Sequence, residues 1–191
     1  MTKLYGTDLV RQQGLFALLK EDFIRHGRSL DSPGLWALVI YRFGTWSRGV
    51  HIPGIRLLLR ILYRLAHIFV RNFCGIELRD TIKIGRRLLI GHQSGIVIHE
   101  CATIGDDCII RQNVTFGAGT EWTPGKGPVI GDRVTFGVGT VVVGNVTIGS
   151  DVNIGPNCTI STDIPSNRTV FVPPPRVLPR EADKGPDAKI V

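Results

Sequence analysis

The chain lacks any run of about 20 uncharged apolar residues, so no membrane-spanning helix is expected from it. Its opening residues, MTKLYGTDLVRQQG, hold neither an apolar core nor a small-residue cleavage site, which argues against a secretory leader. The cytoplasm is the expected compartment, with the inner face of the membrane left open. Cysteine is scarce: Cys74, Cys101, Cys108 and Cys158 are the only four, and no CxxC pair occurs. Reduced, inert thiols are expected rather than disulfides or metal ligands. Aromatic residues make up only 7% and none interleave with basic residues on a strand, so nucleic acid is not an expected partner. The net charge of +7 then points to another anion, either a phosphorylated cofactor or an anionic membrane surface.

What the chain has in quantity is a six-residue rhythm. Aliphatic or Phe residues recur at 78, 84, 90, then 98, 104, 110, 116, then 130, 136, 142, 148, 154 and 160. Gly usually follows them, and four residues on stands a small or β-branched side chain such as Ala102, Cys108, Val134 or Cys158. Hexads of this kind predict a parallel β-helix, in which three short strands make one triangular turn and stacked turns bury an aliphatic column. The register breaks twice, by two residues between Ile90 and Ile98 and by eight between Phe116 and Ile130. A stacking repeat must push such insertions out at its corners, where function tends to lie.

Residues 1–75 read as an α-helical region, 76–164 as the β-helix, and 165–191 as a proline-rich, charged extension whose end is expected to be mobile. From Ile55 to Phe73, Arg56, Arg60 and Arg64 fall at i, i+4 and i+8 and leave the leucines and isoleucines for other faces. Two readings of this stripe stay open. Either it is a solvated face of a packed helix, or it makes peripheral contact with an anionic membrane.

The segment IGRRLLIGHQSGIVIHECATIGDD, with the hexads around it, resembles the active-site region of serine O-acetyltransferases and of the related acetyltransferases of colanic acid and other exopolysaccharide clusters. The resemblance covers residues from about 30 to 178 and implies a left-handed β-helix and acetyl-CoA as co-substrate. It makes His92, at the first register break, the general base. An alcohol must lose its proton as it attacks, and a positioned imidazole can take it. Glu77, fifteen residues upstream, stands where the family carries the aspartate that orients this ring. The second insertion, GAGTEWTPGKG, aligns with the loop that overhangs the family's active site. Its Gly117 and Gly119 would offer backbone N–H groups to a thioester oxyanion. Trp122 would either close over the pantetheine or acceptor, or anchor the loop on a neighbouring subunit. The family's coenzyme A groove, shared between subunits of a homotrimer, would touch Gly117, Gly137, Val138, Gly139, Asn157 and Cys158, with Arg176 near the phosphates. His99 reads as structural, and two histidines are too few for the three-histidine zinc site known in other hexapeptide proteins, so no metal is expected.

Departures from the family bear on the acceptor. The positions that hold serine's ammonium and carboxylate in serine acetyltransferases are here Gly91, Lys126 and Gly127, which leaves one cation and no ammonium partner. Recognition of a charged ligand fails when its buried partners are missing. The expected activity is therefore O-acetylation of a sugar hydroxyl in polysaccharide biosynthesis, closest to the exopolysaccharide enzymes. Serine O-acetylation in cysteine biosynthesis is the alternative, and a non-catalytic β-helical scaffold is the reading from another class.

Overall fold

The computed structural model describes residues 3–119 and 125–176. Four helices come first: α1 (Gly6–Gln13), α2 (Leu15–Arg25), α3 (Pro33–Arg48) and α4 (Pro53–Phe69). Helix α3 starts where Pro33 presets the first helical φ and the Ser32 hydroxyl accepts the Leu35 N–H at 3.4 Å. Helix α4 runs on into a π-helical turn, Val70–Cys74, and the chain leaves it through Gly75 at φ 64°. That left-handed position is one glycine tolerates without a Cβ penalty.

Beyond Gly75 the hexads form a left-handed β-helix of three parallel sheets. Sheet A stacks β1 (Ile76–Leu78), β4 (Ile96–Ile98), β7 (Thr115–Gly117), β10 (Val141–Val143) and β13 (Thr159–Ile160). Sheet B stacks β2 (Lys83–Ile84), β5 (Thr103–Ile104), β8 (Val129–Ile130) and β11 (Thr147–Ile148). Sheet C stacks β3 (Leu89–Gly91), β6 (Ile109–Arg111), β9 (Thr135–Phe136), β12 (Asn153–Ile154) and β14 (Thr169–Val170). Alternation within each strand sends every hexad aliphatic inward. In sheet B this makes the buried column Ile84, Ile104, Ile130 and Ile148 in direct register. Stacking leaves no space at the corner between sheets B and C: a Cβ on Gly105 would lie 2.2 Å from the Gly131 carbonyl oxygen. Both insertions leave at corners, the first between β3 and β4 and the second between β7 and β8.

The coil runs past the break expected at Pro165. Ile164 bridges Ile148, and β14 pairs with β12 through Val170 and Ile154. The spacing of six between Ile164 and Val170 keeps apolar side chains on the inward column despite the proline.

Helix α3 packs on β1 and β3, with α2 and α4 against it. Buried Tyr41 of α3 reaches into the first coil, where its hydroxyl donates to the Ile82 carbonyl at 2.8 Å and accepts the Ile84 N–H at 3.2 Å. The arginine stripe of α4 does not face outward as a unit. Arg60 turns inward, 2.5 Å from the buried Asp80 carboxylate and over the Tyr63 ring at 4.7 Å, while the leucines beside it are exposed. A carboxylate buried beside β1 requires a cation, and Arg60 supplies it together with Arg48 at 3.8 Å.

His26, just after α2, braces the strand that leads into the first insertion. Its Nε2 accepts the Ile90 N–H at 3.3 Å, so Nδ1 carries the proton it shares with the Asp22 carbonyl at 2.7 Å. Burial pushes its pKa below the ordinary 6.5, against the weaker pull of Asp22. A lowered folded pKa contributes stability that is complete above about 6.5 and is lost as pH falls toward the folded value. Between about pH 7.5 and about pH 5 the unfolding midpoint should fall more for the wild type than for His26→Gln, which cannot titrate. Equal slopes in a thermal melt series would remove His26 as the cause.

Candidate active site

The first insertion makes the corner 92–95 that joins sheet C to sheet A. It stacks on the chain below through Ser94 N–H to the Cys74 carbonyl, 2.9 Å, and Ile96 N–H to the Gly75 carbonyl, 3.0 Å. His92 opens this corner at φ 70°, a left-handed conformation in which histidine is enriched among non-glycine residues. Its side chain is exposed and, among the described residues, makes no hydrogen bond. Gly91 before it has open space where a Cβ would stand, so packing does not impose glycine there.

The same edge continues upward as a ladder of corners. Asn113 N–H donates to Ser94 O at 3.0 Å, Gly139 N–H to Gln112 O at 3.1 Å, and Asn157 N–H to Val138 O at 2.8 Å. His92, Val138, Gly139 and Asn157 therefore share one edge of the prism. Gly137 and Cys158 belong to its interior instead. A Cβ on Gly137 would lie 2.6 Å from Pro156 N, and the Cys158 thiol is buried and donates to the Pro156 carbonyl at 3.8 Å.

Sheet A ends at the opposite edge, where the second insertion leaves. Gly117 has open space at its Cβ position and accepts the Gly144 N–H at 2.9 Å, and Gly119 sits at φ 79°. Trp122 lies outside the described residues. On the return, exposed Lys126 precedes Gly127, whose Cβ would come 3.0 Å from the Cys101 carbonyl. Arg176 is exposed at the end of the described chain.

Between these edges the outer face of sheet A carries Glu77, Val97 and Thr115 in direct register. They floor a groove of about 340 Å³ that Arg79, His99, Glu100 and Gly117 also line. Glu77 pairs with Arg79 at 3.9 Å, and Arg79 bridges on to Glu100 at 3.1 Å. The structure thus brings Glu77 to His99 and Gly117 in one groove, and it does not close a Glu77–His92 hydrogen bond among the described residues. His99 accepts the Cys101 N–H on Nδ1 at 3.2 Å, a structural contact, yet its ring also forms groove wall. Hexad spacing showed that residue 99 projects outward but not that it meets Arg79 and Glu100 there. Burial lowers the pKa of His67, helped by Arg71 and opposed by Glu77.

Residues 127–162 match the family model of the bacterial transferase hexapeptide, six repeats. The chain is 36% identical to a serine acetyltransferase of Synechococcus elongatus over 148 residues, 78% of this chain and 58% of that protein. It is 37% identical to the Helicobacter pylori serine acetyltransferase over 137 residues, 72% of this chain and 76% of that one. Among solved structures, serine acetyltransferase isoform 3 of Entamoeba histolytica, in complex with cysteine, superposes with a TM-score of 0.69 at 29% identity, covering 88% of this chain and 63% of that one. The chain thus spans little more than half the length of some curated relatives that it matches. These likenesses overturn the expectation of a polysaccharide O-acetyltransferase, because the relatives are serine acetyltransferases. That expectation rested on Gly91 and Gly127, which offer the acceptor no side chain and leave Lys126 as the one cation. By sequence and by fold, the chain belongs to the serine acetyltransferase family.

Proposed function

We propose that this chain transfers the acetyl group of acetyl-CoA to the hydroxyl of L-serine. The observation that carries the reading is His92, the family's base position, held exposed at the left-handed corner where sheet C passes into sheet A. In this mechanism the imidazole takes the serine proton as the hydroxyl oxygen attacks the thioester carbonyl, and the imidazolium returns that proton to the departing thiolate sulfur. No covalent acyl-enzyme forms. In this reading backbone N–H groups around Gly117 and Gly119 stabilise the tetrahedral oxyanion, and Lys126 is the cation for the serine carboxylate.

Glu77 acts as a positioning residue once its carboxylate leaves Arg79. That pair is half exposed at 3.9 Å, and such surface pairs contribute about 1 kcal/mol or less, so the exchange is inexpensive. Coenzyme A lies along the ladder edge, against Val138, Gly139 and Asn157, with Arg176 toward its phosphates. This edge is an open wall in a single chain, and a homotrimer supplies the facing wall from the next subunit. The test is thiol release from acetyl-CoA by purified protein with increasing L-serine. Saturable, serine-dependent release is expected, and release no faster than acetyl-CoA hydrolysis at every serine concentration would overturn the reading.

A further inference from the structure

Helix α4 is amphipathic the wrong way round for a helix that only packs on its neighbours. Tyr63 and the following Val70 are buried toward α3, whereas Leu57, Leu58, Ile61, Leu65 and Phe69 stay exposed, Leu57 at 64% and Leu65 at 61%. Exposed Phe73 extends this face by stacking on Phe69 at 4.9 Å. The face continues into a wholly apolar groove of about 410 Å³ between α3 and the end of α4, walled by Leu30, Trp36 and Val39. Contiguous apolar surface of this kind marks an interaction site.

Charge selects the occupant. Between Asp31 and Glu77 the sequence has no acidic residue. Arg56, Arg64 and Arg71 are exposed, and Arg64 and Arg71, seven residues apart, flank one side of the apolar face. A second copy docking through the same face would set these arginines against each other, with no carboxylate from either α3 or α4 to neutralise them. An anionic bilayer offers hydrocarbon to the leucines and phosphate to the arginines at once. Among the described residues no helix is long and apolar enough to cross a membrane, so α4 would lie in the plane of the interface.

We propose that the outer face of α4 docks the protein on an anionic lipid bilayer, with Leu58, Ile61, Leu65 and Phe69 at the acyl boundary and Arg64 and Arg71 on headgroup phosphates. The full chain would be co-sedimented with vesicles of phosphatidylcholine alone and of phosphatidylcholine with phosphatidylglycerol, and its mass measured without lipid by sedimentation velocity. Binding to the anionic vesicles is expected, with little to the neutral ones. Arg64→Gln/Arg71→Gln should weaken it by about 30-fold, the worth of two juxtamembrane charges. Leu58→Glu/Leu65→Glu, both at exposed positions, should abolish it while the lipid-free mass stays that of the wild type. No binding to anionic vesicles, or equal binding to both kinds, would overturn the proposal. So would a lower lipid-free mass for the Leu58→Glu/Leu65→Glu protein, which would assign the face to a contact between copies of this chain.

Discussion

Replacing His92 is expected to lower turnover by about 10² to 10⁴, the usual contribution of a positioned general base. His92→Ala places a residue without a compensating polar group at φ 70°, whereas His92→Asn accepts that conformation readily and still cannot act as the base. The two variants should therefore lose turnover alike while the asparagine variant keeps the wild-type unfolding midpoint. Because the side chain makes no hydrogen bond among the described residues, the acetyl-CoA KM should change little. Glu77→Gln should cost less. Wild-type turnover in His92→Asn would remove the mechanism. Wild-type kcat/KM in Glu77→Gln would leave Glu77 as the groove partner of Arg79 alone.

The β-helix was legible because its period is enforced residue by residue. Ile104, Ile130 and Ile148 must stack in register, and an insertion within a strand would break every hydrogen bond above it. The corners holding His92 and Gly117 could be located for the same reason. Spacing alone did not fix which way a helix turns. Arg56, Arg60 and Arg64 share a stripe by period, but the carboxylate that draws Arg60 inward is Asp80, brought near only by the packing of α4 beside β1. The Glu77 carboxylate raised a similar difficulty, since its strand position was readable while its partner, Arg79 two residues on, depends on the pleat and on Glu100 in the next coil. At the acceptor positions the surroundings differ in a way periodicity does not reveal: Gly91 has open space at its Cβ position, whereas a Cβ on Gly127 would meet the Cys101 carbonyl at 3.0 Å.

The largest effect on stability is expected where the helices meet the first coil. Arg42 of α3 and Asp22 of α2 are fully buried, with Nε 2.9 Å from one carboxylate oxygen and Nη2 3.5 Å from the other. The same Nη2 donates to the Gly85 carbonyl at 2.7 Å, so one guanidinium ties two helices to the corner after β2. Its Nη1 is buried without a partner among the described residues, so part of its desolvation is uncompensated. A buried pair of this kind adds little net stability compared with apolar side chains of similar volume, yet removing one member strands the other charge. Arg42→Met should therefore destabilise by about 3–5 kcal/mol, which for a chain of this size lowers the unfolding midpoint by about 6–20 °C. Asp22→Leu/Arg42→Met, which removes both charges, should recover most of that loss, with a residue from the undonated Gly85 carbonyl. Thermal melts of the two variants beside wild type decide the matter. If the double variant is no more stable than Arg42→Met, the cost lies in the lost Gly85 contact and packing rather than in a stranded Asp22.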